Sequence, residues 1–341
     1  MSDLPGTPIV VVGAGVSGLS CARALAGAGR GVLLLERARG VGGRCATRRL
    51  DGQTMDYGPT FLHGRHPGFL AALAAVPATP LAGWPSAVVG TGQPCQPEAF
   101  TPGERRLAFA EGVAAFPRHL AAGLEIRLER AASAVEPDGA AVRVRTASGE
   151  VLRAGVVVLA VAAEQALALL EPLESPEIAS ARALLRFSHS EACLALLALY
   201  PDGTPRPAWE TCYPEDAAAL QLVSHESSKR PGTPLALLFQ ARPSWSRAHL
   251  EDPAWPEALL QEAAGLLGPW AARPSATHPH RWRYARSDRA AELAGPLLLP
   301  LPGGGRLGVC GERFAPGGGV EGAWRSGQMM AERLLAAGAG P

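Results

Sequence analysis

Lysine is nearly missing from this sequence: Lys229 is the only one, so 31 of the 32 basic residues are arginine. Chemistry that needs a second lysine is excluded at once. Charge is scarce as well, at 18% of residues, and 32 basic side chains against 31 acidic ones leave a net charge of +1. That balance gives no electrostatic footprint for nucleic acid or for an anionic membrane surface. The six cysteines (Cys21, Cys45, Cys95, Cys193, Cys212 and Cys310) show no CxxC and no Cys/His ligand spacing. Zinc, iron–sulfur clusters and a redox disulfide pair are therefore not expected, and reduced thiols in a cytoplasmic protein are. The opening MSDLPGTPIVVVGAG has no basic n-region and reads as the approach to a strand. The longest apolar stretch, Ala154 to Leu170, is interrupted by Glu164 and Gln165 and falls short of a membrane span.

What is present is a chain of 341 residues, 47% hydrophobic, long enough for roughly two domains. Its 40 glycines and 31 prolines imply many turns in a folded protein. No internal repeat is found. Ile9 to Val12 reads as a buried strand, Val16 to Ala28 as a helix stopped by glycines, and Val32 to Leu35 as a second buried strand ending in Glu36. Helices are expected at His66 to Val76, Val113 to Ala122, Asp252 to Leu267 and Gly322 to Ala337. Strands are expected at Leu124 to Leu128, Val156 to Val161, Ala192 to Tyr200, Leu235 to Ala241 and Leu307 to Gly311, with a hairpin from Ala141 to Ala154. Pro77 to Pro102 lacks periodicity and reads as a crossing segment or the rim of a second domain.

Three motifs carry chemistry. In Gly13-Ala-Gly15-Val16-Ser17-Gly18, the first glycine makes the tight turn and the second admits backbone to a pyrophosphate. The third allows close helix–strand packing, and the helix N-terminus offers free N–H groups. Glu36, 18 residues on, would accept hydrogen bonds from ribose hydroxyls. Arg37 follows, then Gly42-Gly43-Arg44, where glycines can admit a diphosphate and the arginine supplies charge; this resembles the second cofactor loop of glutathione-reductase-like and amine-oxidase-like FAD proteins. Near the far end, Gly311-Glu312 closes a strand, and the run Gly317-Gly318-Gly319-Val320-Glu321-Gly322-Ala323 opens a helix. In the family this resembles, the strand-end acid holds the ribityl hydroxyls and the helix N-terminus points at the flavin N1–C2=O edge, favouring the reduced state. The usual acid is aspartate; here it is Glu312, one methylene longer.

With GVGGRCATRR, DYGPTF, HESSKRPG, PSWSRAHLEDP, HRWRYA and GGGVEGAWRSG, the chain resembles a renalase-type member of the amine-oxidase-fold flavoproteins. The resemblance implies an α/β fold. A Rossmann-like FAD-binding domain (1–76, 104–166 and 296–341) is interleaved with an α+β substrate domain (77–103 and 167–295), as in amine oxidases and p-hydroxybenzoate hydroxylase. The active site would lie between them. FAD would be held non-covalently, since Cys45 and Cys310 match no attachment pattern; Tyr57, Gly58, Pro59 and Val135 join the cofactor residues. The implied reaction is oxidation of misformed dihydro isomers of NAD(P) to NAD(P)+, with hydride passing to flavin N5 and dioxygen giving hydrogen peroxide. The expected partners are thus a dihydronicotinamide nucleotide and dioxygen, with no nucleic acid and no membrane.

Such a hydride donor needs orientation and a dry cavity more than an acid or base. Trp282 and Tyr284 alternate with Arg281 and Arg283, so either an aromatic stacks near the flavin while Arg283 meets a substrate phosphate, or the aromatics are buried and the arginines exposed. Trp245 and His249 either line the same cavity or pack ordinarily at a helix start. Tyr57 and His63 are candidates to approach the flavin. Amine oxidases of this fold often place a lysine near flavin N5 on the strand resembling Phe187 to Tyr200; that stretch has none, and Lys229 reads as a solvated loop lysine. The alternatives are a flavin amine oxidase, another hydride-abstracting flavoenzyme of specialised metabolism, or an FAD-binding redox sensor without turnover.

Overall fold

The structure, a computed structural model, describes residues 9–338 except 188, 289 and 291. Residues 1–8, on which the reading of the N-terminus rests, lie outside the described residues, as does the end of the tail. The fold is α/β: a Rossmann-like unit and a unit built on a mixed sheet. Unit 1 comprises residues 1–43, 116–190 and 287–341, and unit 2 comprises 44–115 and 191–286.

Continuous apolar runs build the centre of unit 1. Ile9–Val12, Val32–Leu35 and Val156–Leu159 are buried along their whole length, as strands covered on both faces must be. The six-stranded sheet has the order Leu297–Pro300, Arg306–Val309, Val156–Leu159, Ile9–Val12, Val32–Leu35, Glu125–Arg127. All pairs are parallel except the first, which is antiparallel. The helices Val16–Gly27 and Gly319–Ala336 run close together: a Cβ on Gly327 would sit 2.3 Å from the Ser17 carbonyl oxygen. The expected hairpin forms as Ala141–Thr146 against Val151–Ala154, and Ala132–Asp138, unread from sequence, adds a third antiparallel strand.

In unit 2 a six-stranded sheet has the order Ala276–Ser287, Ser190–Leu199, Ala236–Ala241, Leu220–His225, Thr211–Cys212, Val88–Val89. Its two faces differ. Leu194, Leu196, Phe239 and Val223 pack with Trp255 and Leu259 of the helix Trp255–Leu267. The other face carries Ala195, Leu197, Leu238, Tyr57 and Trp282. A hairpin, Thr47–Leu50 with Gln53–Asp56, brings Met55 to that second face.

The unit boundaries differ from the expected ones. Residues 44–76 and 104–115 cluster with unit 2 because the hairpin and the sheet Leu62–Gly64, Arg105–Phe109, Pro80–Ala82 hydrogen-bond within it. Residues 167–190 cluster with unit 1 because helices Ala163–Leu170 and Pro176–Arg186 bury Leu170, Ile178 and Leu185 in its core. The helix expected from Asp252 starts at Trp255, with Pro256 in its first turn, where a missing N–H costs nothing. Pro77 to Pro102 is not featureless: it holds Pro80–Ala82, Val88–Val89 and the short helical turn Pro97–Phe100. Among the described residues no helix is long and apolar enough to cross a membrane.

Candidate active site

Unit 1 carries the glycine motifs. Gly13 turns the chain with φ at +103°, and a Cβ there would lie 2.5 Å from the Ala160 carbonyl oxygen. A Cβ on Gly18 would meet the Gly13 carbonyl oxygen at 2.0 Å, so the helix can only approach the turn without one. Gly15 differs: a Cβ there would meet nothing within 4 Å. It stands in open space at the start of Val16–Gly27, whose N-terminus receives no side-chain cap, so the amides of its first turn remain for a ligand. The second loop lies against the first, since Gly15 and Gly42 form a parallel bridge and the Gly42 amide donates to the Ala14 carbonyl at 2.8 Å. Gly43 crowds the Gly15 Cα, where a Cβ would come within 3.3 Å. This cradle of open backbone at an uncapped helix N-terminus fits the pyrophosphate of FAD.

The other candidate cofactor residues of unit 1 are placed as follows. The buried Glu36 carboxylate accepts from the amides of Ala14 and Ala38, each at 2.8 Å, which fixes it at the strand end; Arg37 is exposed. Ser17 donates to Cys310 Sγ at 3.2 Å, and burial pushes the Cys310 thiol up to about 12. The Gly311 amide donates to Ser326 Oγ at 3.1 Å, and Glu312 accepts from the Ser287 amide at 3.2 Å. Gly319 opens the closing helix, again without a side-chain cap; Val320 lies in its first turn and Ala323 is buried. Val135 points its side chain into the core beside Val142 and Val144.

In unit 2, Arg44 donates to the Ala285 carbonyl at 3.3 Å. Tyr57 donates its amide to Ala46 at 3.1 Å, and Gly58 passes so near that a Cβ would sit 1.9 Å from the Arg44 carbonyl oxygen. Gln240 Nε2 donates to the Gly58 carbonyl at 2.7 Å, just before the half-buried Pro59. The turn is thus held from both sides, and it presents Tyr57. The Tyr57 ring stacks on Trp282 (centroids 5.4 Å apart, 22° between planes), and His280 meets its edge at 4.9 Å. Trp282 Nε1 donates to the Tyr57 carbonyl at 2.9 Å. Burial pushes the Tyr57 phenol up, against the opposing pull of Arg48. Burial, helped by His278 and Arg48, pulls His280 down to about 4, so its imidazole is neutral near pH 7.

Strand alternation puts Tyr284 on the same side as Trp282 and the two arginines on the other. There Arg281 Nε donates to the Leu250 carbonyl at 2.9 Å and Arg283 pairs with Glu251 at 2.7 Å, both at the exposed rim. Trp245 and His249 stack on each other at 4.0 Å, and Trp245 packs into the core under Trp255–Leu267. They lie on the opposite sheet face from Tyr57 and Trp282. His63 is engaged with Glu104 at 2.9 Å in a different sheet.

Lys229 overturns its expectation. It is not a solvated loop lysine but fully buried, donating to Asp56 Oδ2 at 2.8 Å, both Glu226 oxygens at 2.9 and 3.0 Å, and the Thr60 carbonyl at 2.6 Å. Its ammonium also lies 4.3 Å from the Trp84 ring centroid. Asp56 accepts in turn from Thr47 Oγ1 and the Val113 amide, while its own amide donates to Glu226. Burial, countered by Lys229 and reinforced by Asp56, raises the Glu226 carboxyl above its ordinary value. The network anchors the residue just before Tyr57. Sequence reading also missed Arg286, although the alternation ATHPHRWRYARS, carried two steps past Trp282, puts it on the aromatic face.

Residues 11–75 match a family model described as an NAD(P)-binding Rossmann-like domain, and residues 81–335 match that of the flavin containing amine oxidoreductases. The chain is 48% identical over 61 residues to a carotenoid 3,4-desaturase of Haloarcula japonica, covering 18% of this chain and 12% of the desaturase. It is 52% identical over 60 residues to an L-amino-acid oxidase of Demansia vestigiata, covering 17% and 12%. These matches span about an eighth of the length of the curated relatives. Wild-type putrescine oxidase superposes with a TM-score of 0.75 at 16% identity, covering 97% of this chain and 99% of that one. Cyclohexylamine oxidase from Brevibacterium oxydans does so with 0.74 at 17% identity, covering 98% and 99%. With an open glycine cradle for a dinucleotide and a family match over three quarters of its length, the chain belongs to the flavin-containing amine oxidoreductases, and its cofactor is FAD.

Proposed function

We propose that this protein is a renalase-like oxidase. It would take a hydride from nicotinamide nucleotides reduced at the 2 or 6 position and return them to NAD(P)+. The carrying observation is the state of the sole lysine. Lys229 is fully enclosed by two carboxylates and a carbonyl, so it is not available to assist removal of a proton from an amine. The aromatic face formed by Tyr57, His280 and Trp282 supplies ring surface, and His280 is neutral near pH 7. Such a face suits a dihydropyridine, whose nitrogen lone pair expels the hydride without a protein base.

In unit 1, Gly13, Gly15 and Gly18 with the amides of Val16 and Ser17 would hold the FAD pyrophosphate, Glu36 a ribose, and Gly42 and Gly43 the adjoining chain. Glu312 and the Gly319 helix start would serve the ribityl and ring end. Binding is non-covalent. When bound, FAD supplies the two-electron acceptor, and dioxygen with one proton carries those electrons away as hydrogen peroxide. The chain's own part is orientation: Tyr57, Trp282 and Tyr284 align a flat ring, and the hydrogen bond from Trp282 to the Tyr57 carbonyl fixes the pair.

Family membership favours a second reading, oxidation of an amine. Anaerobic mixing of FAD-loaded protein with 6-dihydro-NAD separates the two. Bleaching of the visible flavin band is expected. No bleaching, with bleaching by a primary amine instead, overturns the proposal in favour of the second reading.

A further inference from the structure

The sheet face that carries Tyr57 and Trp282 changes character along its length. Past Tyr284 it ends in a cation, Arg286, whose side chain is about three quarters buried at 24% exposure. The partners of this guanidinium are mostly neutral. Nη2 donates to Gln221 Oε1 at 3.1 Å and Nη1 to the Cys95 carbonyl at 3.4 Å. Nε lies 3.4 Å from Glu191 Oε2, without a hydrogen bond, and that carboxylate is 41% exposed. The Nε edge of the guanidinium is thus left without a hydrogen bond although it is enclosed; an anion delivered by a ligand would complete it.

The surrounding backbone is built for this arrangement. A register shift between Leu220 and Leu222 inserts an extra residue opposite Gln240. Bulges re-aim side chains, and this one turns Gln221 toward Arg286. Gln240, paired with Ala195 and so on the same face, is committed to the Gly58 carbonyl. Arg286 thus stands on the aromatic side while Arg281 and Arg283 do not. Same-face residues of a strand recur every roughly 7 Å, so Arg286 lies about 7 Å beyond Tyr284 and about 13 Å beyond Trp282. A ring packed on the aromatic stretch would bring a phosphate, one ribose away, to the guanidinium.

We propose that Arg286, steadied by Gln221, is the specificity residue that binds the phosphate of the donor nucleotide. This rests on the proposed hydride donor and names the part of it that is recognised. The test uses FAD-loaded protein, so the glycine cradle is already filled. Reduction is followed with a dihydronicotinamide riboside and with the corresponding mononucleotide in wild type, Arg286→Gln and Glu191→Gln. In wild type the mononucleotide should have the lower KM, and Arg286→Gln should shrink that advantage by roughly ten- to a hundredfold. Glu191→Gln, which removes the competing carboxylate from a partly exposed position, should enlarge it. A ratio equal in wild type and Arg286→Gln, or unmoved by Glu191→Gln, overturns the proposal.

A second readout does not depend on the donor. Inorganic pyrophosphate should raise the melting temperature of FAD-loaded wild type, raise that of Glu191→Gln further, and leave Arg286→Gln unmoved. If no dihydronicotinamide reduces the flavin, the proposed function fails, and the pyrophosphate shifts alone decide the role of Arg286. Equal shifts in wild type and Arg286→Gln sink it.

Discussion

Lys229 holds two carboxylates 0% exposed, which could not stay together without it. The replacement Lys229→Met keeps the volume and removes the charge. It leaves Asp56 and Glu226 facing each other in the interior, joined only by the Asp56 amide and their outer hydrogen bonds. Removing one partner of a buried pair costs about 3–5 kcal/mol. That loss is expected for Lys229→Met in chemical denaturation. Adding Glu226→Gln, which deletes one of the two negative charges, should restore part of it. If Lys229→Met unfolds within about 1 kcal/mol of wild type, the network is not what holds this part of the fold. The burial could not be read from sequence. A charged residue in HESSKRPG has the composition of a solvated turn, and its partner Asp56 is 173 positions away.

At the level of the first strand–turn–helix, two glycines three residues apart are held for different reasons. Alanine at Gly18 should favour the helix by about 1 kcal/mol on propensity. Its Cβ, however, would be driven to 2.0 Å from the Gly13 carbonyl oxygen, backbone that cannot yield. Gly18→Ala is therefore expected to lose most of the native state. Gly15 has extended backbone (φ −76°, ψ 178°) that alanine adopts readily, and nothing lies within 4 Å of its Cβ. Gly15→Ala should fold like wild type by circular dichroism and purify without yellow colour, because its methyl occupies the space a pyrophosphate needs. Colour retained in Gly15→Ala would remove the cradle from the cofactor site. This element was legible because fully covered strands are unbroken apolar runs such as IVVV and VLLL, and because glycine and the acid at the next strand end punctuate them. The two-residue strand Val88–Val89 has no run to show, and the bulge at Gln221 leaves no trace in composition. Arg286 was missed beside two more conspicuous arginines that alternation sends to the other face.

Across the whole molecule the chain passes between its two compact units four times, so neither unit is a continuous segment. The residues proposed to hold the cofactor in unit 1 come from both ends of that path, from Gly13 and Glu36 at one and Gly311 to Ala323 at the other. A ligand that fastens such distant segments binds the native chain and not the unfolded one. Free FAD at a hundred times its Kd then stabilises the native state by about 2.7 kcal/mol. The thermal midpoint of FAD-free protein should accordingly climb with FAD concentration, without a plateau at saturation. Glu36 offers a control. Its carboxylate already accepts two backbone amides, so Glu36→Gln lowers the intrinsic stability, and it should also weaken the ribose contact proposed for this residue. The FAD-dependent increment should shrink in the variant, over and above any drop of the midpoint without FAD. An increment identical to that of wild type at every FAD concentration would detach Glu36 from the cofactor and leave it only the task of closing the turn at Ala14.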